Sequence, residues 1–196
     1  YKFIKANVVE DLNQNIINLQ FNIDEGEKFY VNKINIFGNT VTAEHVIRNQ
    51  LSIDEGDPFS EILVNKSIND IKSLNFFKTV NYKIKNNNST KTREIEIFVE
   101  EKPTGEIYAT AGAGTSGASF GFGVKENNFL GNGISLDTNA LISTSQFKGK
   151  FVVTNPNFNN SDKSIYGSLE AIETDNYNTF GYKTNKTGFR IGTNFE

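Results

Sequence analysis

The run Gly112-Ala113-Gly114-Thr115-Ser116-Gly117 spells the spacing G-x-G-x-x-G. In a nucleotide-binding turn those glycines let backbone N–H groups approach a pyrophosphate at the first turn of a helix. Here residues 118–124 continue in strict alternation, Ala118, Phe120, Phe122 and Val124 against Ser119, Gly121 and Gly123. No helix follows the third glycine, so the run reads as a strand reversal and no cofactor site is expected. The chain has one histidine, His45, and no cysteine. A single His makes a His-rich metal site or a Ser-His-Asp triad nearly impossible within these residues, and the absence of Cys removes Cys-ligated zinc. Two acidic turns, Asp24-Glu25-Gly26-Glu27 and Asp54-Glu55-Gly56-Asp57, lack the twelve-residue ligand spacing of an EF-hand and read as solvated loops. The expectation is a protein with no catalytic residue, no metal and no cofactor, and hence not an enzyme.

Composition narrows the classes further. The 196 residues carry 20 Lys plus Arg against 23 Asp plus Glu, a net charge of −3. That balance argues against nucleic acid as a partner, which calls for a basic stripe. No Met occurs, so Tyr1 is expected to lie inside a longer protein. No apolar run approaches the ~20 residues that a membrane-spanning helix needs. The 17 Phe, 7 Tyr and 16 Gly instead suit strands that hide an apolar face by alternation.

The elements that must position these residues fall into two halves. In the first, residues 29–37 read as a strand with Tyr30, Ile34 and Ile36 on its main face and Val31 off it, ended by Gly38-Asn39. Thr42 is the expected N-cap, with Glu44 in the first turn, of a short helix through Val46, Ile47 and Leu51. Residues 54–58 break it. Ser60 then caps a second helix whose core face is Val64, Ile68 and Ile71. Strands over 80–84 and 94–99 flank a polar loop at 86–90. The order is strand, helix, helix, strand, strand, a small α+β module. At an offset of 76 residues, Leu19, Phe21 and Ile23 line up with Ile95, Ile97 and Val99, and Ile4, Ala6 and Val8 with Val80, Tyr82 and Ile84. Residues 1–27 therefore read as the last hairpin of a preceding copy, and residues 28–102 as a complete one.

After Pro103 the helical period vanishes. Five further apolar alternations run through Phe122, Leu136, Phe151, Leu169 and Phe189, while Lys125, Asp137, Lys148, Lys150 and Arg190 occupy the opposite phase. Segments near the ~9–11 residues of a tilted membrane strand are the signature of a transmembrane β-barrel, although a soluble sandwich also alternates. Residues 103–196 are expected to form about six strands, too few to close a barrel. One end carries loops at 115–117, 143–146 and 174–185; the other carries turns at 129–133 and 155–163, with aromatics placed for an interfacial girdle.

These residues resemble a known family. Gly112 through Phe120, followed by Asn127-Asn128-Phe129-Leu130-Gly131-Asn132-Gly133, looks like the opening strands of the BamA-family barrel, and Thr154-Asn155-Pro156-Asn157-Phe158 resembles that family's second periplasmic turn. Phe29-Tyr30-Val31-Asn32-Lys33-Ile34, Gly38-Asn39 and Asn75-Phe76-Phe77-Lys78-Thr79-Val80 resemble its barrel-adjoining POTRA domain. The resemblance implies a POTRA module followed by an incomplete antiparallel transmembrane β-barrel, in the bacterial outer membrane with POTRA modules in the periplasm. It implies a machine that folds and inserts β-barrel proteins without a nucleotide, whose partners are outer-membrane lipoproteins, unfolded barrel substrates and the lipid bilayer. Glu55 falls at the inter-helix position where the family contacts a lipoprotein. A related translocase or autotransporter-assembly factor, or a passive or enzyme-bearing barrel, stands as the alternative. The family's late-barrel loop signature would lie beyond Glu196.

The first barrel strand, residues 105–115, differs from its neighbours in its small outward residues. Gly105, Ile107, Ala109, Ala111, Gly112, Ala113, Gly114 and Thr115 make a strand whose short side chains pair weakly across a seam. Accommodating tight barrel curvature is one explanation. A lateral gate, as the resemblance implies, is the other.

Overall fold

A computed structural model describes residues 4–13, 16–25, 27–114, 117–161 and 163–195. The first two alternating segments pair as an antiparallel hairpin, β1 (Ile4–Asn13) and β2 (Ile16–Glu25), with Val8 opposite Phe21. Leu19, Phe21 and Ile23 share one face of β2 and are exposed.

The α+β module follows in the expected order: β3 (Tyr30–Phe37), α1 (Glu44–Arg48), α2 (Glu61–Ser73), β4 (Phe77–Asn87) and β5 (Thr92–Glu101). Its sheet has the order β3-β5-β4, with β3 parallel to β5. Parallel neighbours require a crossover, and the helical stretch between β3 and β4 supplies it. Ser60 caps α2 by accepting from the Leu63 N–H at 3.5 Å. Val64, Ile68 and Ile71, one face at helical spacing, are buried with Ile34, Ile95, Ile97 and Phe59.

Three local expectations are corrected. Val31, placed off the main face of β3, is 1% exposed, whereas Tyr30 is 46% exposed. The register shifts between Val31 and Lys33, a bulge that puts Val31 and Ile34 on one side. The loop after α1 creates that bulge: Val31 N–H donates to the Asp57 carbonyl, Gly56 N–H to the Val31 carbonyl, and Ile34 N–H to Glu55 Oε1 at 2.9 Å. Secondly, the N-cap of α1 is Ala43 with no side-chain bond, and the helix ends at Arg48 rather than running to Leu51. Thr42 is buried and spends its hydroxyl elsewhere. Thirdly, the loop expected over 174–185 is shorter, because strands extend into it from both sides.

The remaining strands form one antiparallel meander: β6 (Gly105–Gly114), β7 (Gly117–Phe129), β8 (Ile134–Ser143), β9 (Gln146–Asn155), β10 (Lys163–Asn176) and β11 (Tyr182–Phe195). A four-residue helix, α3 (Tyr177–Phe180), joins the last two. Register sorts the side chains as the alternation predicts. Ile107, Val124, Thr138, Phe151, Leu169 and Phe189 lie in one cross-strand row. The neighbouring row on the opposite face holds Glu106, Lys125, Asp137, Val152, Ser168 and Arg190. The apolar face is open, with Phe122 58% and Phe189 75% exposed. An apolar surface of that extent marks a site for lipid or another apolar partner. Among the described residues no helix is long and apolar enough to cross a membrane.

Two compact units divide the chain: Tyr1–Gly38 with Gln50–Glu100, and Asn39–Asn49 with Glu101–Glu196.

Candidate functional site

β6 stands at the edge of the meander and pairs only with β7 among the described strands. Its other side pairs with none of the described strands, and a strand edge is the feature that lets a sheet accept another strand. Ile107, Ala109, Ala111 and Ala113 share the apolar face, where Ala109 meets Phe122 and Ala111 meets Phe120. Gly105 begins the strand, Gly112 and Gly114 occupy the polar face near its end, and Thr115 lies outside the described residues.

The two ends of β6 are held differently. At its start, the Thr104 hydroxyl donates to the Glu126 carboxylate, and Asn127 donates through its N–H and Nδ2 to the Thr104 carbonyl at 3.4 and 3.3 Å. Tyr108 lays its ring over Gly123, where a β-carbon would collide with it, and its hydroxyl reaches Asp137 Oδ1 at 3.4 Å. Only a glycine opposite leaves room for this ring. Beyond Thr110 only Ala and Gly side chains are left, so little packing holds the far end.

Next to the start of β6 is a joint that the sequence reading missed. Glu101 receives Thr40 N–H and hydroxyl at 2.9 and 2.6 Å, Val41 N–H at 2.9 Å and Thr42 N–H at 2.6 Å. Partial burial pushes its carboxyl upward, but donation from the Thr40 hydroxyl and the Thr42 and Val41 N–H groups outweighs this and holds it at about 2. Ala43 N–H donates to the Gly131 carbonyl at 2.8 Å. Asn128, buried, donates to Thr42 Oγ1 and accepts from Gly133 N–H, both at 2.8 Å. Gly131, at φ +73°, must be glycine, since a side chain would run into the Val41 carbonyl. The segment Asn39–Asn49 is thereby fastened to the turn between β7 and β8, which accounts for its place in the second unit.

Residues 29–102 match the model of the POTRA family, described as surface antigen variable number repeat. The crystal structure of BamA from Haemophilus ducreyi lacking POTRA domains 1–3 superimposes with a TM-score of 0.76 and 26% identity, covering 96% of this chain and 37% of that one. The outer membrane protein assembly factor BamA of Buchnera aphidicola is 28% identical over 97% of this chain and 33% of its own length. That of Neisseria meningitidis serogroup B is 25% identical over 97% of this chain and 25% of its own length. Residues 29–102 belong to the POTRA family, and the chain is similar to BamA proteins over nearly its whole length. It spans between a quarter and a third of those two curated BamA relatives.

Glu55 is exposed in the loop after α1 and one carboxylate oxygen holds the bulge of β3. His45 lies in α1, its carbonyl accepting from Asn49 N–H at 2.9 Å. Residues after Gly117 continue as a strand rather than a helix, which removes the phosphate cradle that the glycine spacing spells. Among the described residues no group of three His, Asp or Glu is placed to hold a metal ion. The Glu101 joint left one trace in the sequence, the Thr40-Val41-Thr42 approach to α1.

Proposed function

We propose that this chain is the barrel-adjoining POTRA module and the opening strands of an outer-membrane β-barrel assembly factor. The observation that carries the reading is the position of β6: it follows a POTRA module directly and forms the edge of a meander with one apolar and one polar face. The apolar face meets lipid and the polar face lines the lumen, with the module in the periplasm. In the closed barrel, β6 pairs with the last strand through short side chains. That seam parts sideways and offers the edge of β6 to an incoming strand, while Thr104 and Tyr108 keep the start of β6 in place. Catalysis of this kind needs no bond chemistry and no cofactor. Unfolded barrel proteins are the substrates, and outer-membrane lipoproteins dock on the module, with Glu55 as a contact. The relatives' printed role as assembly factors supports this assignment.

Depletion of the whole protein in its own cells tests it. The expected result is loss of β-barrel proteins from the outer membrane and their accumulation unfolded in the periplasm. Normal barrel-protein levels, with loss of a single conductance or a single secreted protein, would support a pore or translocase instead.

A further inference from the structure

Among the described residues Arg93 is a cation without a counter-charge. It sits near the start of β5, paired with Val31 and in phase with Ile95 and Ile97. Its guanidinium lies over two rings, the central carbon 4.2 Å from the Phe59 centroid and 4.6 Å from that of Phe29. Phe59 is buried, while Phe29 and Arg93 are partly exposed. The Arg93 Nε is the single buried side-chain nitrogen or oxygen without a hydrogen-bond partner among the described residues. Three described acids at this end of the module are engaged elsewhere: Glu27 pairs with Lys91 at 3.1 Å, Glu55 accepts from Ile34 N–H, and Asp57 Oδ2 accepts from Asp54 N–H at 2.9 Å.

A guanidinium packed against two rings has lost water over those contacts, and its remaining N–H groups are left to satisfy the charge. The rings lower the local dielectric and fix the orientation of those groups, which strengthens any anion bound in plane. Two parallel N–H donors match the two oxygens of a carboxylate. Closing the core over Phe59 requires no charge at all, so an apolar side chain would serve that purpose without the cost of shielding a cation.

We propose that the edge of Arg93 is a docking point for an aspartate or glutamate side chain of a protein partner, with the exposed rim of Phe29 packing on the chain beside it. The proposal is independent of any role of Glu55.

The whole protein, labelled with ¹⁵N-arginine in detergent micelles, provides the test. Shielding makes the Arg93 Nε–H slow to exchange and hence observable. The probes are acetyl-Gly-Gly-Asp-Gly-Gly-amide, the same peptide with Asn, and acetate. The expected result is a saturable shift of the Arg93 signal with the Asp peptide, absent with the Asn peptide and weaker with acetate. Fluorescence anisotropy of the tagged Asp peptide should show at least tenfold weaker binding to Arg93→Lys, which keeps the charge but not the fork. Phe29→Leu, which leaves the guanidinium and the buried Phe59 intact, should bind several-fold more weakly. Absence of a shift, equal shifts with Asp and Asn, or undiminished binding by Arg93→Lys would overturn the proposal. Acetate binding as tightly as the Asp peptide would overturn the protein partner and leave a site for free carboxylates.

Discussion

Asn128 Nδ2 donates to Thr42 Oγ1 at 2.8 Å across 86 positions of sequence, and both residues are buried. Asn128 Oδ1 also takes the Gly133 N–H, so a single side chain holds both the β7–β8 turn and the approach to α1. Asn128→Ala strands two polar groups in a buried place, at a cost of about 1–3 kcal/mol. Amides of residues 39–49 should then exchange with deuterium roughly ten- to hundredfold faster, since about 1.4 kcal/mol is a factor of ten. Unchanged exchange there would show that the joint does not depend on Asn128.

Glu101 makes the same joint sensitive to acid. Its carboxyl is held at about 2, below the ordinary 4.5, so its stabilisation is complete above the ordinary value and is lost as pH falls toward 2. Solvent screening at this partly exposed group reduces the effect. Protection factors of the Thr40, Val41 and Thr42 amides, corrected for intrinsic exchange, should be flat from neutrality to about pH 5 and fall below it. Glu101→Gln should abolish that acid dependence. A fall that began near neutrality would point to another group.

The two faces of the meander differ in what they tolerate. Phe122 on the apolar face and Thr110 on the polar face occupy neighbouring cross-strand pairs, Phe122 with Ala109 and Thr110 with Gly121. Their depth in a bilayer is therefore nearly equal. Phe122→Arg should cost ~2–4 kcal/mol in equilibrium unfolding of the whole protein in lipid, and Thr110→Arg far less. Equal costs would contradict the assignment of lipid to the apolar face.

Orientation follows from placing the POTRA module in the periplasm. Cysteines at Thr144, between β8 and β9, and at Asn178, in α3, should react with an impermeant thiol reagent on whole cells. A cysteine at Asn132, in the turn after β7, should not. Labelling of Asn132 alone would invert the model. Ser116, expected at the same end as Thr144, lies outside the described residues.

Much of this was legible from period alone. The face of α2 is carried by Val64, Ile68 and Ile71 at helical spacing, and the strands of the meander by alternation, because both signals are local. The bulge of β3 was not legible: Val31 turns inward because the Glu55–Asp57 loop bonds to the strand, and no spacing within residues 30–37 records that. Thr42 read as a cap from its type and position, yet its partners Glu101 and Asn128 lie 59 and 86 residues away. Such polar contacts have no periodicity and appear only when the chain is folded. Small residues in β6 were visible as composition, but the unequal fastening of its ends depends on Tyr108 meeting Gly123 across the strand pair.

The central claim is that the seam at β6 must part for the protein to work. A cysteine replacing Ala111, paired with one on the strand that closes against β6 in the whole protein, can be locked by oxidation and released by reduction. Assembly of a reporter barrel protein into the outer membrane is the measurement. The account predicts arrest in the oxidised form and recovery on reduction, with each single cysteine behaving as wild type. Normal assembly and growth with the seam fully cross-linked would contradict it.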